Sequence, residues 1–182
     1  MTRDEHAGLR IVCVAGPSDA GKTTLIERLV PRLADRGRVG TVKSIHHEIE
    51  VDTPGKDTHR HREAGADAVV GVTPELTFEI ASAGKREPPS DPDVGWLFDV
   101  DARTDPELRA LEAALARFRR RGYNVVLVEG FTQAPLPTIV VGERSSIGGE
   151  VIATGDDDLE ELLEAVWALE PVGRDGDPKP DP

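Results

Sequence analysis

The sequence contains few of the residues that mark several large protein classes. Its 182 residues include a single cysteine, Cys13, so an internal disulfide is excluded and a reducing compartment is expected. Cys13 lies within an apolar run, where a small buried hydrophobe is expected rather than a nucleophile. No apolar run approaches the roughly 20 residues of a membrane helix, and the N-terminus lacks a signal-peptide hydrophobic region. We therefore expect a cytoplasmic protein with no membrane partner.

Positive charge is also scarce, because 34 acidic residues face 22 basic ones and the net charge is −12. This balance argues against nucleic acid and anionic membranes as partners. Only five of the basic residues are lysines, aromatic residues make up 4%, and the acids are spread along the chain. Such a composition is typical of proteins in a very salty cytoplasm, but an ordinary acidic protein explains it equally well. Stability measured at low salt distinguishes the two.

Residues 11–24, Ile-Val-Cys-Val-Ala-Gly-Pro-Ser-Asp-Ala-Gly-Lys-Thr-Thr, carry the clearest functional pattern. A short apolar strand is followed by Gly-x-x-x-x-Gly-Lys-Thr and then by a helical apolar pattern, which is the context of a phosphate-binding P-loop. Thr23 is predicted to ligate Mg²⁺ through its hydroxyl. The predicted phosphate-binding residues are Gly16, Ser18, Asp19, Ala20, Gly21, Lys22, Thr23 and Thr24.

Strand and helix patterns alternate along the chain. Strands are predicted at 11–15, 39–42, 69–72, 76–80, 125–128, 138–141 and 151–153, and helices begin near 21, 57, 105 and 158. Pro31 predicts a kink or an early loosening in the first helix, and Gly37 predicts its C-terminal cap. Asp57 and Asp105 are the predicted N-caps of the next two helices, and residues 83–95 are predicted to form a surface loop. Together with the P-loop, this order predicts a three-layer α/β P-loop NTPase fold with a mostly parallel central sheet. Residues 1–170 are expected to form one nucleotide-binding domain, followed by a disordered acidic, proline-rich tail at 171–182.

Two acidic residues are candidates for Mg²⁺ binding and catalysis. Glu129 follows a fully apolar strand, where P-loop NTPases carry an acid that holds Mg²⁺ directly or through water. Asp52 lies in the loop after the second strand and is its rival. A purely structural role for Glu129, as a cap or an ion-pair partner, is the alternative. Because ligands bind at the carboxyl ends of parallel strands, Gly16–Thr23, residues 43–62 and Glu129 are expected to meet at one sheet edge.

Residues 43–62 contain four of the five histidines, among them His46 and His47. Their spacing matches no familiar zinc pattern, so a structural metal site is the weaker interpretation. A surface for a second phosphate-bearing ligand is favoured, because basic residues are interspersed with the histidines: Lys43, Lys56, Arg60 and Arg62. An exposed loop with incidental histidines is the remaining alternative. Nothing matches the Asn-Lys-x-Asp signature for guanine, and Asp156–Asp158 either contact a guanine edge or cap a helix, so these residues do not distinguish GTP from ATP.

Several motifs together resemble the MobB family of molybdopterin-guanine dinucleotide biosynthesis over about residues 9–168. They are the P-loop, Val42-Lys43-x-x-His46-His47, Asp52-Thr-Pro-Gly-Lys-Asp57 and Leu127-Val-Glu-Gly-Phe131. The resemblance implies a GTP-binding protein with weak hydrolysis, often dimeric. It implies that the protein assists a MobA-type guanylyltransferase, which joins a GMP unit to the molybdenum cofactor, and molybdopterin is a further candidate ligand.

Carried over by position, Lys22 and Thr23 hold the phosphates of GTP, and Glu129 and Asp52 serve Mg²⁺. His46, His47, Lys56 and Asp57 lie in the family's characteristic loop and are candidate ligand-binding residues. Two features depart from the family pattern: Thr132 and Gln133 follow Gly-Phe where a basic residue is common, and residues 83–105 match no familiar motif. A P-loop small-molecule kinase and a nucleotide-switched adaptor are the alternative functions.

Overall fold

The computed structural model describes residues 8–88, 95–99, 104–143 and 146–172. Within these ranges the chain forms seven strands and four helices. In order they are β1 (Arg10–Ala15), α1 (Lys22–Ala34), β2 (Val39–Lys43), α2 (Asp57–Glu63), β3 (Ala68–Val72), β4 (Thr77–Ala81), α3 (Pro106–Arg120), β5 (Val125–Glu129), β6 (Thr138–Val140), β7 (Val151–Thr154) and α4 (Leu159–Ala168). No helix of the described ranges is both long and apolar enough to cross a membrane.

Five of the strands form one parallel sheet in the order β2-β5-β1-β6-β7. β1 lies at its centre, so the loop that follows β1 is anchored between two hydrogen-bonded neighbours. β3 and β4 pair only with each other, as a separate antiparallel hairpin. The predicted α/β fold with a mostly parallel central sheet is confirmed, and the hairpin is an addition that the strand pattern did not separate from the sheet.

Both faces of the sheet are covered by helices, as a parallel sheet requires. Alternate residues of β1 point to opposite faces: Val12 and Val14 pack with residues of α1 and α4, whereas Ile11 and Cys13 pack with residues of α3. All four β1 residues are at most 4% exposed. The result is three layers, with the phosphate-loop sequence at the end of the most buried strand.

Helix ends follow local sequence in α3 and depart from it in α1. The Asp105 carboxylate caps α3 by accepting a bond from the Glu107 N–H at 2.7 Å, as predicted. α1 runs three residues past Pro31 and ends at Ala34, so the prediction that Gly37 caps it is wrong. Gly37 does not have a positive φ; a Cβ there would lie 2.8 Å from the Asn124 Oδ1 atom, so close packing requires this glycine.

α3 also carries a buried acid. Glu112 is fully buried, and its Oε1 atom accepts the backbone N–H groups of Leu97 at 2.7 Å and Phe98 at 3.3 Å. This carboxylate attaches the 95–98 segment to the helix.

The predicted start of the disordered tail at residue 171 is too early. Val172 forms an antiparallel bridge with Leu9, with N–H···O distances of 2.8 and 3.3 Å, and packs beside the core on the α3 side. These bonds satisfy the backbone of residue 172, so it belongs with the folded part. The rest of the predicted tail, and part of the predicted surface loop at 83–95, lie outside the described residues.

Candidate functional site

The loop between β1 and α1 has the backbone shape of an anion cradle. Asp19 has a φ of 61°, and Gly21, the N-cap of α1, has a φ of 94°. Left-handed residues within such a turn direct successive N–H groups to one side. The first N–H groups of α1 have no acceptor within the helix, and the helix dipole adds partial positive charge there. This loop therefore presents a concentration of hydrogen-bond donors suited to phosphate oxygens.

Lys22 is the first residue of α1, and its side chain folds back over the loop. Its ammonium donates to the Gly16 carbonyl oxygen at 3.0 Å and to the Pro17 carbonyl oxygen. The Lys22 charge is thus positioned at the mouth of the cradle, where a phosphate group can replace the weaker carbonyl acceptors.

Glu129 ends β5 beside the cradle, with only 11% of its side chain exposed. The Thr23 hydroxyl lies 3.3 and 3.4 Å from its two carboxylate oxygens, and the Lys43 ammonium lies 2.5 Å from Oε1. A hydroxyl beside a carboxylate is an oxygen donor set of the kind that Mg²⁺ prefers. Thr23 and Glu129 therefore suit a magnesium ion.

These side chains share a cleft of about 420 Å³. Its lining comprises Ser18, Asp19, Gly21, Lys22, Thr23, Thr24, Lys43 and Glu129. Gly16 and Ala20 complete the backbone of the same loop. The structure therefore brings the predicted P-loop residues and Glu129 to one sheet edge. Lys43 was predicted for a second phosphate-bearing ligand, and in the structure it lines this cleft instead.

Asp52 does not line the cleft. Its Oδ1 atom accepts the Thr53 N–H at 2.8 Å and the Thr58 hydroxyl at 3.0 Å, both within its own loop. Oδ2 is buried without a hydrogen-bond partner among the described residues. In this conformation Asp52 fastens the turn before α2, and a role beside Glu129 requires the loop to move.

His46 lines a second, smaller pocket of about 160 Å³. Residues 130–134, which follow β5, and residues at the start of α3 line the same pocket. The His46 Nε2 atom is 3.3 Å from the Ser44 hydroxyl, which also donates to Glu107 at 3.1 Å. Lys85 bonds to Glu107 at 2.7 Å and lies over the Phe131 ring at 5.1 Å. This network joins the loop after β2 to the start of α3.

The other three predicted loop residues, His47, Lys56 and Asp57, are exposed. Lys56 is the N-cap of α2, and Asp57, which was predicted to be its cap, is instead the first helical residue. The described part of the chain contains no group of three or more His, Cys, Asp or Glu side chains able to hold a metal ion. The histidine-rich segment therefore offers no ready-made structural metal site within these ranges.

Two side chains of the described ranges have shifted pKa values, each with a structural cause. The Asp52 backbone N–H donates to Glu50 and, with the positive charge of Arg62, lowers the pKa of that exposed carboxyl. Burial raises the pKa of the Cys13 thiol to about 11. Cys13 is thus protonated at neutral pH and fully buried, as expected for a small core residue rather than a nucleophile.

Comparison with protein families decides the family of the chain. The model described as MobB, molybdopterin guanine dinucleotide synthesis protein B, matches residues 11–102, just over half of the chain. The chain belongs to the MobB family. The matched range contains the P-loop, the histidine-rich segment and part of residues 83–105, which had resembled no familiar motif.

Curated relatives are named as adapter proteins of molybdopterin-guanine dinucleotide biosynthesis. The chain is 33% identical over 129 residues to a molybdopterin-guanine dinucleotide biosynthesis adapter protein of Haemophilus influenzae, covering 70% of this chain and 60% of the relative. It is 31% identical over 132 residues to the adapter protein of Escherichia coli, covering 72% and 64%. The chain thus spans less than two thirds of the length of these relatives.

Solved structures support the fold. A crystal structure of molybdopterin-guanine biosynthesis protein B is 25% identical, with a TM-score of 0.59 and coverage of 87% of this chain and 97% of that one. Bacillus subtilis MobB is 22% identical, with a TM-score of 0.55 and coverage of 86% and 98%. Both share the α/β architecture of the MobB fold.

Proposed function

We propose that this chain is a GTP-binding accessory protein of molybdenum cofactor biosynthesis. Nucleotide binding is supported above all by one observation: Lys22, Thr23 and Glu129 meet in one cleft beside the N-terminus of α1. The cofactor role rests on membership of the MobB family and on relatives named as adapter proteins of molybdopterin-guanine dinucleotide biosynthesis. The guanine preference rests on the resemblance to that family.

In this proposal the loop N–H groups and Lys22 bind the phosphates of GTP, and Thr23 and Glu129 hold Mg²⁺. Mg²⁺ would neutralise phosphate charge and support slow hydrolysis. Asp52 joins the site only if its loop moves, because its carboxylate is bonded to Thr53 and Thr58. Replacing Glu129 should therefore lower Mg²⁺-dependent nucleotide affinity more than replacing Asp52.

Isothermal titration with Mg²⁺·GTP and Mg²⁺·ATP tests the nucleotide assignment. We expect GTP to bind and Lys22→Ala to lose about 10-fold or more in affinity, since a charge-assisted bond to phosphate is removed. Arg28→Ala is the matched control, because Arg28 is an exposed cation on the same helix and does not line the cleft. Binding of ATP with no binding of GTP contradicts the guanine assignment.

The accessory role predicts a nucleotide-dependent complex with a MobA-type guanylyltransferase, with or without molybdopterin. A pull-down with that enzyme, with and without GTP, measures this complex and whether nucleotide switches it. Guanylated molybdenum cofactor in cells lacking the protein is the functional readout. Unchanged cofactor levels and no complex in either state contradict the accessory role.

A homodimer is part of the proposal, and the β3–β4 hairpin supports it. Val70 and Val72, two residues apart on β3, are 57% and 77% exposed, and Leu76 at the turn is 57% exposed. Exposed β-branched residues beside unpaired strand edges form a surface that a second copy can cover. In analytical sedimentation we expect Val72→Lys to weaken the dimer. Ala168→Lys, at an exposed position on α4, is the control and should leave the dimer unchanged. An unchanged dimer in Val72→Lys contradicts this interface.

A small-molecule kinase is the second candidate, and the pocket beside His46 favours it. Gly130, the residue after Glu129, lines that pocket, so a phosphate acceptor there would lie at the same end of β5 as the nucleotide cleft. Rapid phosphoryl transfer in a screen of metabolites supports a kinase, and slow hydrolysis alone supports the accessory protein.

A further inference from the structure

Lys43 and Glu129 lie side by side because of the strand register. They are paired residues at the ends of β2 and β5, which are parallel neighbours about 4.8 Å apart. Paired residues of neighbouring strands point to the same face of a sheet. The Lys43 ammonium therefore reaches Glu129 Oε1 at 2.5 Å, and the nearly buried carboxylate has a cation as its partner.

Lys43 holds the same carboxylate that the proposed Mg²⁺ site requires. Thr23, the other proposed ligand, is 3.3 and 3.4 Å from the two oxygens of Glu129. An ammonium and a divalent cation at one carboxylate repel each other and compete for its oxygens. Because the Lys43 side chain is 56% exposed, its ammonium is able to leave Glu129 without disturbing the core.

The sheet order shows which part of a nucleotide Lys43 can meet. The strands run β2-β5-β1, so Lys43 faces the phosphate loop from across the strand that carries Glu129. In the proposed nucleotide complex, the phosphate loop and Lys22 would surround the phosphates on the β1 side of the cleft. Lys43 lines the opposite side of the same cleft, where the end of a longer phosphate chain would project.

We propose that Lys43 exchanges partners in this cleft: it neutralises Glu129 in the absence of Mg²⁺ and pairs with the terminal phosphate when a Mg²⁺·nucleoside triphosphate binds. This inference rests on the proposed nucleotide site and makes Lys43 the residue that distinguishes triphosphate from diphosphate. An ordinary ion pair between β2 and β5 would stabilise the strands and leave that distinction unchanged.

Titration of the full chain with GTP and GDP, each with Mg²⁺, tests the proposal. Lys43→Met keeps the length of the side chain and removes the charge. Arg28→Met is the control, because it removes one positive charge from an exposed position on α1 that does not line the cleft. We expect Lys43→Met to weaken GTP binding by about 10-fold or more and GDP binding by less than about 3-fold. Arg28→Met should match the unmodified chain for both ligands.

Mg²⁺ without nucleotide provides a second readout. Removing the Lys43 ammonium leaves Glu129 free, so added Mg²⁺ should raise the melting temperature of Lys43→Met more than that of the unmodified chain. An equal Mg²⁺ shift in both proteins, or an unchanged ratio of GTP to GDP affinity in Lys43→Met, overturns the inference. If the unmodified chain binds neither GTP nor ATP, the proposed nucleotide site fails as well, so the two failures are distinguishable.

Discussion

Alanine at position 16 tests whether the phosphate loop depends on close backbone contact. A Cβ atom at Gly16 would lie 2.1 Å from the Val141 carbonyl oxygen, whereas real Cβ contacts essentially never fall under 3.0 Å. Val141 cannot move away freely, because its N–H donates to the Ala15 carbonyl at 2.8 Å. The φ of Gly16 is +156°, which side-chain-bearing residues rarely adopt.

The structure sets the size of the expected effect. The loop or the end of β6 must shift by about 0.9 Å to restore an acceptable contact, which is overpacking of the kind that costs about 1–3 kcal/mol. Unfavourable φ adds about 1–2 kcal/mol. We therefore expect Gly16→Ala to lower the free energy of unfolding by about 2–5 kcal/mol and the melting temperature by about 5–15 °C.

Urea unfolding and GTP titration measure the two consequences. Gly84→Ala is the matched control, because apart from its chain neighbours no atom of the described residues lies within 4 Å of its Cβ position, and its φ is not positive. We expect Gly84→Ala to change stability by no more than about 0.5 kcal/mol and to retain GTP binding. If Gly16→Ala matches Gly84→Ala in both measurements, the contact between Gly16 and Val141 does not shape the loop.

Two further predictions concern buried groups. Glu112→Ala removes the carboxylate that accepts the N–H groups of Leu97 and Phe98 and should lower the free energy of unfolding by about 2–4 kcal/mol. Glu112→Gln keeps an acceptor and should lose less than half of that in urea unfolding; equal losses would contradict the role of the acceptor. Burial raises the pKa of the Cys13 thiol from 9.0 to about 11, so the thiol of the unfolded chain loses its proton at lower pH than that of the folded chain. The contribution of this thiol to the free energy of unfolding is therefore fully present below pH 9. The free energy of unfolding should fall by about 2–3 kcal/mol as the pH rises to 11. Cys13→Ala should lack this part of the pH dependence, and an identical alkaline slope in both proteins would contradict the assignment.

The elements that sequence predicted well are those specified by neighbouring residues. The P-loop is a local combination of a strand, two glycines and a helix start, and Asp105-Pro106-Glu107 specifies the start of α3 without help from distant residues. The apolar runs of β1 and β5 indicated buried parallel strands for the same reason.

The features that sequence missed depend on contacts between distant segments. Lys43 and Glu129 are 86 residues apart, and only the adjacency of β2 and β5 brings them together. Gly37 resembled a helix cap, but the approach of Asn124 explains its lack of a side chain. Glu112 is buried on α3, but its partners are the N–H groups of Leu97 and Phe98, which the local sequence of the helix does not indicate.

The central position of β1 divides the candidate site into parts of different local stability. β1 is hydrogen-bonded on both sides and covered on both faces, so its amide protons should exchange with solvent only when the whole domain unfolds. The segment 45–58 has mostly exposed residues and few backbone bonds outside α2, so it should open far more often. A ligand in this cleft would therefore rest beside a strand that stays closed, while the segment that follows β2 opens locally. Hydrogen exchange should show slow exchange in β1 and fast exchange in 45–58.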